Sequence, residues 1–191
     1  FKQLAADYQI LHLSTHGKAN DEVGDYSFLA FYEMPEDSIE NEWLYNRELY
    51  DLRLNADMVV LSACETGIGE LQRGEGIISM ARGFSYAGAR STITSLWSVD
   101  DKGTQELMEQ FYVNLKNGEP KHIALHKAKK SILKSHRVEP YYWASFIPIG
   151  DMSPVEWPSV WEPVWVWCLN ASILLVLGIM YFRHYRFHMV E

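Results

Sequence analysis

The chain has 191 residues, a formal net charge of −8, 48% hydrophobic and 22% charged residues, which suits about one globular domain of roughly 100 to 200 residues and excludes a disordered polymer. With 25 Asp and Glu against 17 Lys and Arg it lacks the basic surplus that phosphate neutralisation needs, so no nucleic acid is expected as a partner. The acidity is local: residues 21–51 hold ten acids and one base, Arg47, and sum to −9, which leaves +1 for the remainder.

Tyr8 to Leu13 (YQILHL) is a short apolar run ended by Ser-Thr-His-Gly, which predicts a buried strand that stops in a loop and leaves His16 just past the strand end. Ser27 to Tyr32 predicts a strand or hairpin arm, Glu33 to Glu42 with Pro35 an exposed acidic loop, and Leu44 to Leu54 a helix. Asp57 to Ala63 (DMVVLSA) is the clearest strand, four consecutive large apolar residues between polar ones, as in a central parallel strand. Cys64 follows it directly. Gly67, Gly69 and Gly74 mark a loop, and Glu75 to Ala87 then sets Ile77, Ile78, Ala81 and Phe84 at helical spacing before Gly88. Ser91 to Leu96 (STITSL) predicts a further strand, Thr104 to Lys116 and Lys121 to Ser135 two helices, and Trp143 to Ile149 the last strand. This alternation predicts an α/β fold with a mostly parallel sheet covered on both faces over residues 1–150.

Residues 151–163 read as a linker. Val164 to Phe182 is nineteen residues without a charge, enough at about 1.5 Å per residue to span a hydrocarbon core of roughly 30 Å, and predicts one C-terminal transmembrane helix. Trp157, Trp161, Trp165 and Trp167 gather at its start and Tyr181, Tyr185 and Phe187 at its end, where aromatic rings settle at headgroup level. The short basic tail, 183–191, carries Arg183 and Arg186. The positive-inside rule puts that tail in the cytoplasm and the domain outside, although a reduced thiol is most easily kept in the cytosol. Cys64 and Cys168 are badly placed to pair, so no disulfide framework is expected. Phe1 is not preceded by a basic-then-apolar leader, and the chain reads as the C-terminal part of a longer protein.

In parallel sheets the working groups stand beyond the carboxyl ends of the strands. Those ends here present His16-Gly17, Cys64-Glu65 and Asp100-Asp101. A cysteine nucleophile needs thiolate character, an imidazole to shuttle protons, and backbone N–H groups aimed at the developing oxyanion. If the strands before His16 and Cys64 are neighbours, both side chains approach across one interstrand gap of about 4.8 Å. The N–H groups of Gly17 and Cys64 would then face one carbonyl oxygen. The plainer alternative makes Cys64 a small buried hydrophobe. His12, inside its strand, reads as a satisfied core or interface histidine, and His122, His126 and His136 as solvent-facing on a Lys-rich stretch. A zinc site from His12, His16 and Cys64 is the weaker reading, and no metal or cofactor is expected.

LHLSTHG at 11–17, VVLSACETGIGELQRGEGIISMARGFSYAGA at 59–89 and SLWSVDD at 95–101 resemble, in that order, the CHAT family of caspase-like cysteine peptidases, related to separases, caspases and gingipains. The resemblance covers about residues 8–150. It implies His16 and Cys64 as a catalytic dyad acting on a protein substrate. It also implies that Asp101, or Asp100 beside it, holds an Arg or Lys side chain before the scissile bond; for Asp101 a helix N-cap is the equal alternative. Further implications are sheet strands upstream of residue 1, a tetratricopeptide-repeat sensor before them, and relatives that act in bacterial defence. A catalytically silent scaffold coupled to those repeats is the competing expectation.

Overall fold

Four large apolar residues in a row can be buried only where both faces of a strand are covered, and the domain is built around such a run. The computed structural model describes residues 1–18, 23–31, 43–62, 79–97, 101–134 and 139–157, together with Cys168, Leu169, Ser172, Leu177 and Met180. In chain order its elements are β1 (Ile10–Leu13), β2 (His16–Lys18), β3 (Phe28–Ala30), β4 (Trp43–Tyr45), α1 (Asn46–Leu49), β5 (Met58–Leu61), α2 (Ser79–Tyr86), β6 (Ser91–Ser95), α3 (Asp101–Lys116), α4 (Lys121–Ile132), α5 (Pro140–Trp143) and β7 (Phe146–Gly150). Residues 1–155 form one unit and 156–191 another.

The main sheet has the order β1-β5-β6-β7. β5 pairs in parallel with β1 and β6, while β7 runs antiparallel to β6. The fold is therefore α/β, with a mixed, mostly parallel sheet flanked by helices. The antiparallel edge follows from the crossover: α3 and α4 carry the chain back and forth, so it re-enters the sheet at the end where β6 left it. All four residues of β5 are fully buried, and they alternate between two cores. Val59 and Leu61 join Leu11, Leu13, Leu49 and Phe84 on one face, and Met58 and Val60 join Ile93, Leu107, Phe111 and Leu125 on the other. Each such side chain contributes about 1.5–3 kcal/mol by leaving water.

A second sheet, β2-β3-β4, is antiparallel throughout. Leu29 and Leu44 pair across it and enter the first core. On its other face Phe28 and Trp43 stack at 4.5 Å. Two expectations are corrected here. His16 opens a strand instead of sitting in a loop, because it pairs with Ala30 while the Thr15 hydroxyl donates to the Ala30 carbonyl. Residues 44–54 are not one helix: Leu44 is claimed by its strand partner, and only Asn46–Leu49 is helical. The Tyr45 N–H donates to the Glu48 carboxylate at 2.8 Å to start that turn, and the Leu54 N–H, captured by the Ala87 carbonyl at 2.7 Å, draws the chain out of it. α2 ends at Gly88, where φ is +108° and a Cβ would stand 2.7 Å from the Leu54 carbonyl oxygen, so only glycine fits. The acidic loop 33–42 lies outside the described residues.

At the amino end of β5, Lys121 is fully buried and its Nζ lies 3.1 Å from Asp57 Oδ2. It also donates to the Asp151 carbonyl at 3.2 Å. Arg90, whose side chain is 61% exposed, reaches Asp57 at 3.4 Å and Asp151 at 2.5 Å. One cluster thus ties β5, the start of β6, the end of β7 and the first turn of α4. Among the described residues no helix is long and apolar enough to cross a membrane. Of 164–182, the five described residues are helical and exposed, and the rest of that segment lies outside the description.

Without Lys121, the buried Asp57 carboxylate keeps only an exposed guanidinium at 3.4 Å. Lys121→Ala should therefore cost about 3–5 kcal/mol, whereas Arg90→Ala, at an exposed pair, should cost no more than about 1 kcal/mol. Urea unfolding of the full chain measures both as midpoint shifts at unchanged slope; equal shifts would refute the assignment of Lys121 as the anchor.

Candidate functional site

Register fixes what the carboxyl ends of β1 and β5 present. Leu13 of β1 lies opposite Leu61 of β5 in the parallel ladder, and the Ser62 N–H donates to the Leu13 carbonyl at 3.1 Å. His16 follows Leu13 by three residues and Cys64 follows Leu61 by three. The two candidate residues therefore leave neighbouring strands at equal offset. His16 is exposed on β2, and Gly17, next to it, lies opposite Leu29 in the ladder with β3. Cys64 and Asp100 lie outside the described residues. Asp101 is the first residue of α3 and is exposed; a carboxylate there also complements the positive end of the helix dipole. His122 and His126 are exposed on α4, and His136 lies outside the description. Among the described residues no cluster of three or more metal-ligating side chains occurs.

What sequence reading missed is the polar chain at these strand ends. His12 Nε2 lies 3.0 Å from Ser62 Oγ, and His12 Nδ1 lies 2.9 Å from the Tyr112 hydroxyl of α3. The His12 and Tyr112 rings also stack at 5.7 Å. Burial pushes the Tyr112 phenol up to about 12, so it stays un-ionised and able to donate. With Tyr112 donating to Nδ1, the Nε2 proton donates to Ser62, an assignment that gives each group a partner. Partial desolvation also lowers the His12 pKa from its ordinary value, although His12 as a residue is exposed. The signal for this chain in sequence was the period of two: His12 shares a strand face with Ile10, the face that packs against the α3 core.

A mixed, mostly parallel sheet with helices on both faces, and an antiparallel flap that His16 opens beyond β1, define an α/β domain. The chain belongs to the CHAT domain family, whose model matches residues 1–151. It is similar to tetratricopeptide repeat protein 28 of Mus musculus, 32% identical over 113 residues that make up 59% of this chain and 5% of that protein. The Homo sapiens protein of the same name is 31% identical over 113 residues, 59% of this chain and 4% of that one. The chain thus corresponds to a small part of the curated relatives it matches, and both are mammalian.

Because folding lowers the His12 pKa from its ordinary 6.5, the unfolded chain binds the proton more tightly. This contribution is therefore fully present above pH 6.5 and is lost as pH falls through the folded-state value. Thermal melts between pH 8 and 5 should show an acid-side loss of stability that is shallower in His12→Gln. An identical slope in the two proteins would exclude His12 as its source.

Proposed function

We propose that the chain is part of a cysteine endopeptidase that uses His16 and Cys64 as its dyad. The observation that carries the reading is the equal three-residue offset of His16 and Cys64 from the paired residues Leu13 and Leu61, within a CHAT family domain. Cys64 Sγ attacks the scissile carbonyl, His16 passes a proton to the leaving amine, and water then releases the acyl-enzyme. Backbone N–H groups of Gly17 and Cys64 stabilise the oxyanion. A carboxylate at Asp101, with Asp100 beside it, gives a charge-assisted site for Arg or Lys before the scissile bond. No metal or cofactor takes part in this reading.

The wider setting is part of the same proposal. A repeat-containing region upstream is supported by the name of the relatives, which speaks of tetratricopeptide repeats. A membrane tether at 164–182 is supported by its uncharged nineteen residues and by Leu169, Leu177 and Met180, apolar helical residues left exposed. By charge, the domain lies outside the cytoplasm and the tail inside. The name of the relatives also favours a second reading, a caspase-like scaffold with an unused dyad that transmits a signal from the repeats.

Cys64→Ala and His16→Ala should each abolish cleavage of peptide amides with Arg or Lys before the scissile bond, a loss of at least about a thousandfold for a nucleophile or its base, with an unchanged circular dichroism spectrum. Undiminished turnover in Cys64→Ala sinks the dyad, and a wild type inactive even with its upstream region favours the scaffold. Protease accessibility of the domain in intact cells tests the orientation: protection from added protease would place it in the cytoplasm.

A further inference from the structure

Three elements lead to the three candidate site residues: β1 to His16, β5 to Cys64, and α3 begins with Asp101. Side chains from all three meet in one hydrogen-bonded chain. His12 lies on β1 four residues before His16, Ser62 lies two residues before Cys64, and Tyr112 lies on α3. His12 and Ser62 are not directly opposite in the ladder. His12 faces Val60, so the 3.0 Å contact to Ser62 is a diagonal that crosses from one strand to the exit of the next.

We propose that Tyr112, His12 and Ser62 form a positioning chain that fixes the exits of β1 and β5 relative to each other and to α3, and so sets the approach of His16 to Cys64. The inference rests on the dyad reading above. His12 is exposed and Tyr112 and Ser62 are half-buried, so water competes for these bonds and they add little to stability; what they add is direction. Each bond is directional, and the β1–β5 link lies at the carboxyl edge of the sheet, beyond the apolar pairs Leu11–Val59 and Leu13–Leu61. There the ladder ends and side chains must take over the task of holding the two strands in register. The Ser62 N–H to Leu13 bond fixes the backbone at that point, and the His12–Ser62 bond fixes the side-chain face. Neither His12 nor Ser62 is required to touch substrate; both act through the dyad.

The test is alkylation of Cys64 by iodoacetamide in the full chain, resolved by mass spectrometry so that Cys168 is counted apart, beside turnover of a peptide amide with Arg before the scissile bond. A displaced His16–Cys64 pair loses thiolate at neutral pH. Ser62→Ala should slow Cys64 alkylation at pH 7 about five- to tenfold, move the midpoint of its pH profile upward, and lower kcat by a similar factor at unchanged KM. Ser62→Thr, which keeps the hydroxyl, should restore both to within about twofold. Tyr112→Phe removes only the far end of the chain and should cost about two- to threefold; it serves if Ser62→Ala does not fold. A lower melting temperature with alkylation profile and kcat unchanged would make the chain structural only and overturn the inference. The dyad reading fails separately, if Cys64→Ala still cleaves or if His16→Ala leaves the alkylation profile unaltered. Either result removes the positioning role with it, whereas dyad variants that behave as expected beside an unaltered Ser62→Ala overturn the positioning role alone.

Discussion

Everything in the domain is arranged to keep β5 dry. Met58, Val59, Val60 and Leu61 are fully buried, and a strand that alternates between two cores needs a covering layer on each side and a hydrogen-bonded neighbour at each edge. α1, α2 and the inner face of the small sheet supply one layer, and α3 with α4 the other. A one-residue slip of β5 would exchange the two sets of side chains between cores of different shape. The register Leu13 to Leu61 is therefore strongly specified, and with it the place at which the chain leaves the sheet toward Cys64.

The two ends of β5 handle polarity in opposite ways. At the amino end, Asp57 meets a fully buried lysine and a half-exposed arginine, while Asp151 is held well below the usual carboxylate range by its bonds to Ser153 and then by Arg90. These are charges matched to charges, and they close that end. At the carboxyl end the bonds run between neutral groups, the Tyr112 hydroxyl, the His12 imidazole and the Ser62 hydroxyl. Neutral groups hold geometry without adding a formal charge at that edge.

Much of this arrangement was legible from residue type and period. The uninterrupted MVVL run identified β5, Gly88 marked the end of α2, and the Asn117-Gly118 turn separated α3 from α4, because each of these signals acts over a few residues. The errors share one cause. Leu44 to Leu54 has helical spacing, yet Leu44 is committed to Leu29 fifteen residues earlier, and pairing of that kind overrides propensity. His16 was expected in a loop for the same reason, since its strand exists only through Ala30. The antiparallel direction of β7 also needed a count of the helices in its crossover. For the site, His16, Gly17, Cys64 and Asp101 were read as strand-end chemistry; the structure puts His16 and Gly17 on β2 and Asp101 at the start of α3. The chain through His12, Ser62 and Tyr112 was not legible, because its members are 50 and 100 residues apart and none is unusual alone.

The length of that separation bears on how the domain can be controlled. Asp101 and Tyr112 lie on the same helix, α3, eleven residues apart or about 16 Å at 1.5 Å per residue. A helix of this kind moves as a body, so a displacement imposed on α3 reaches both the carboxylate at its start and the phenol that holds His12. α3 packs chiefly against α4, and α4 is bound to the amino end of β5 through Lys121. Its first turn is thus fixed to the sheet, while α3 meets β1 through the apolar face that includes Ile10 and through the Tyr112–His12 pair. A displacement of the helical layer is therefore opposed by buried charge at the amino end of β5 and by neutral hydrogen bonds at its carboxyl end.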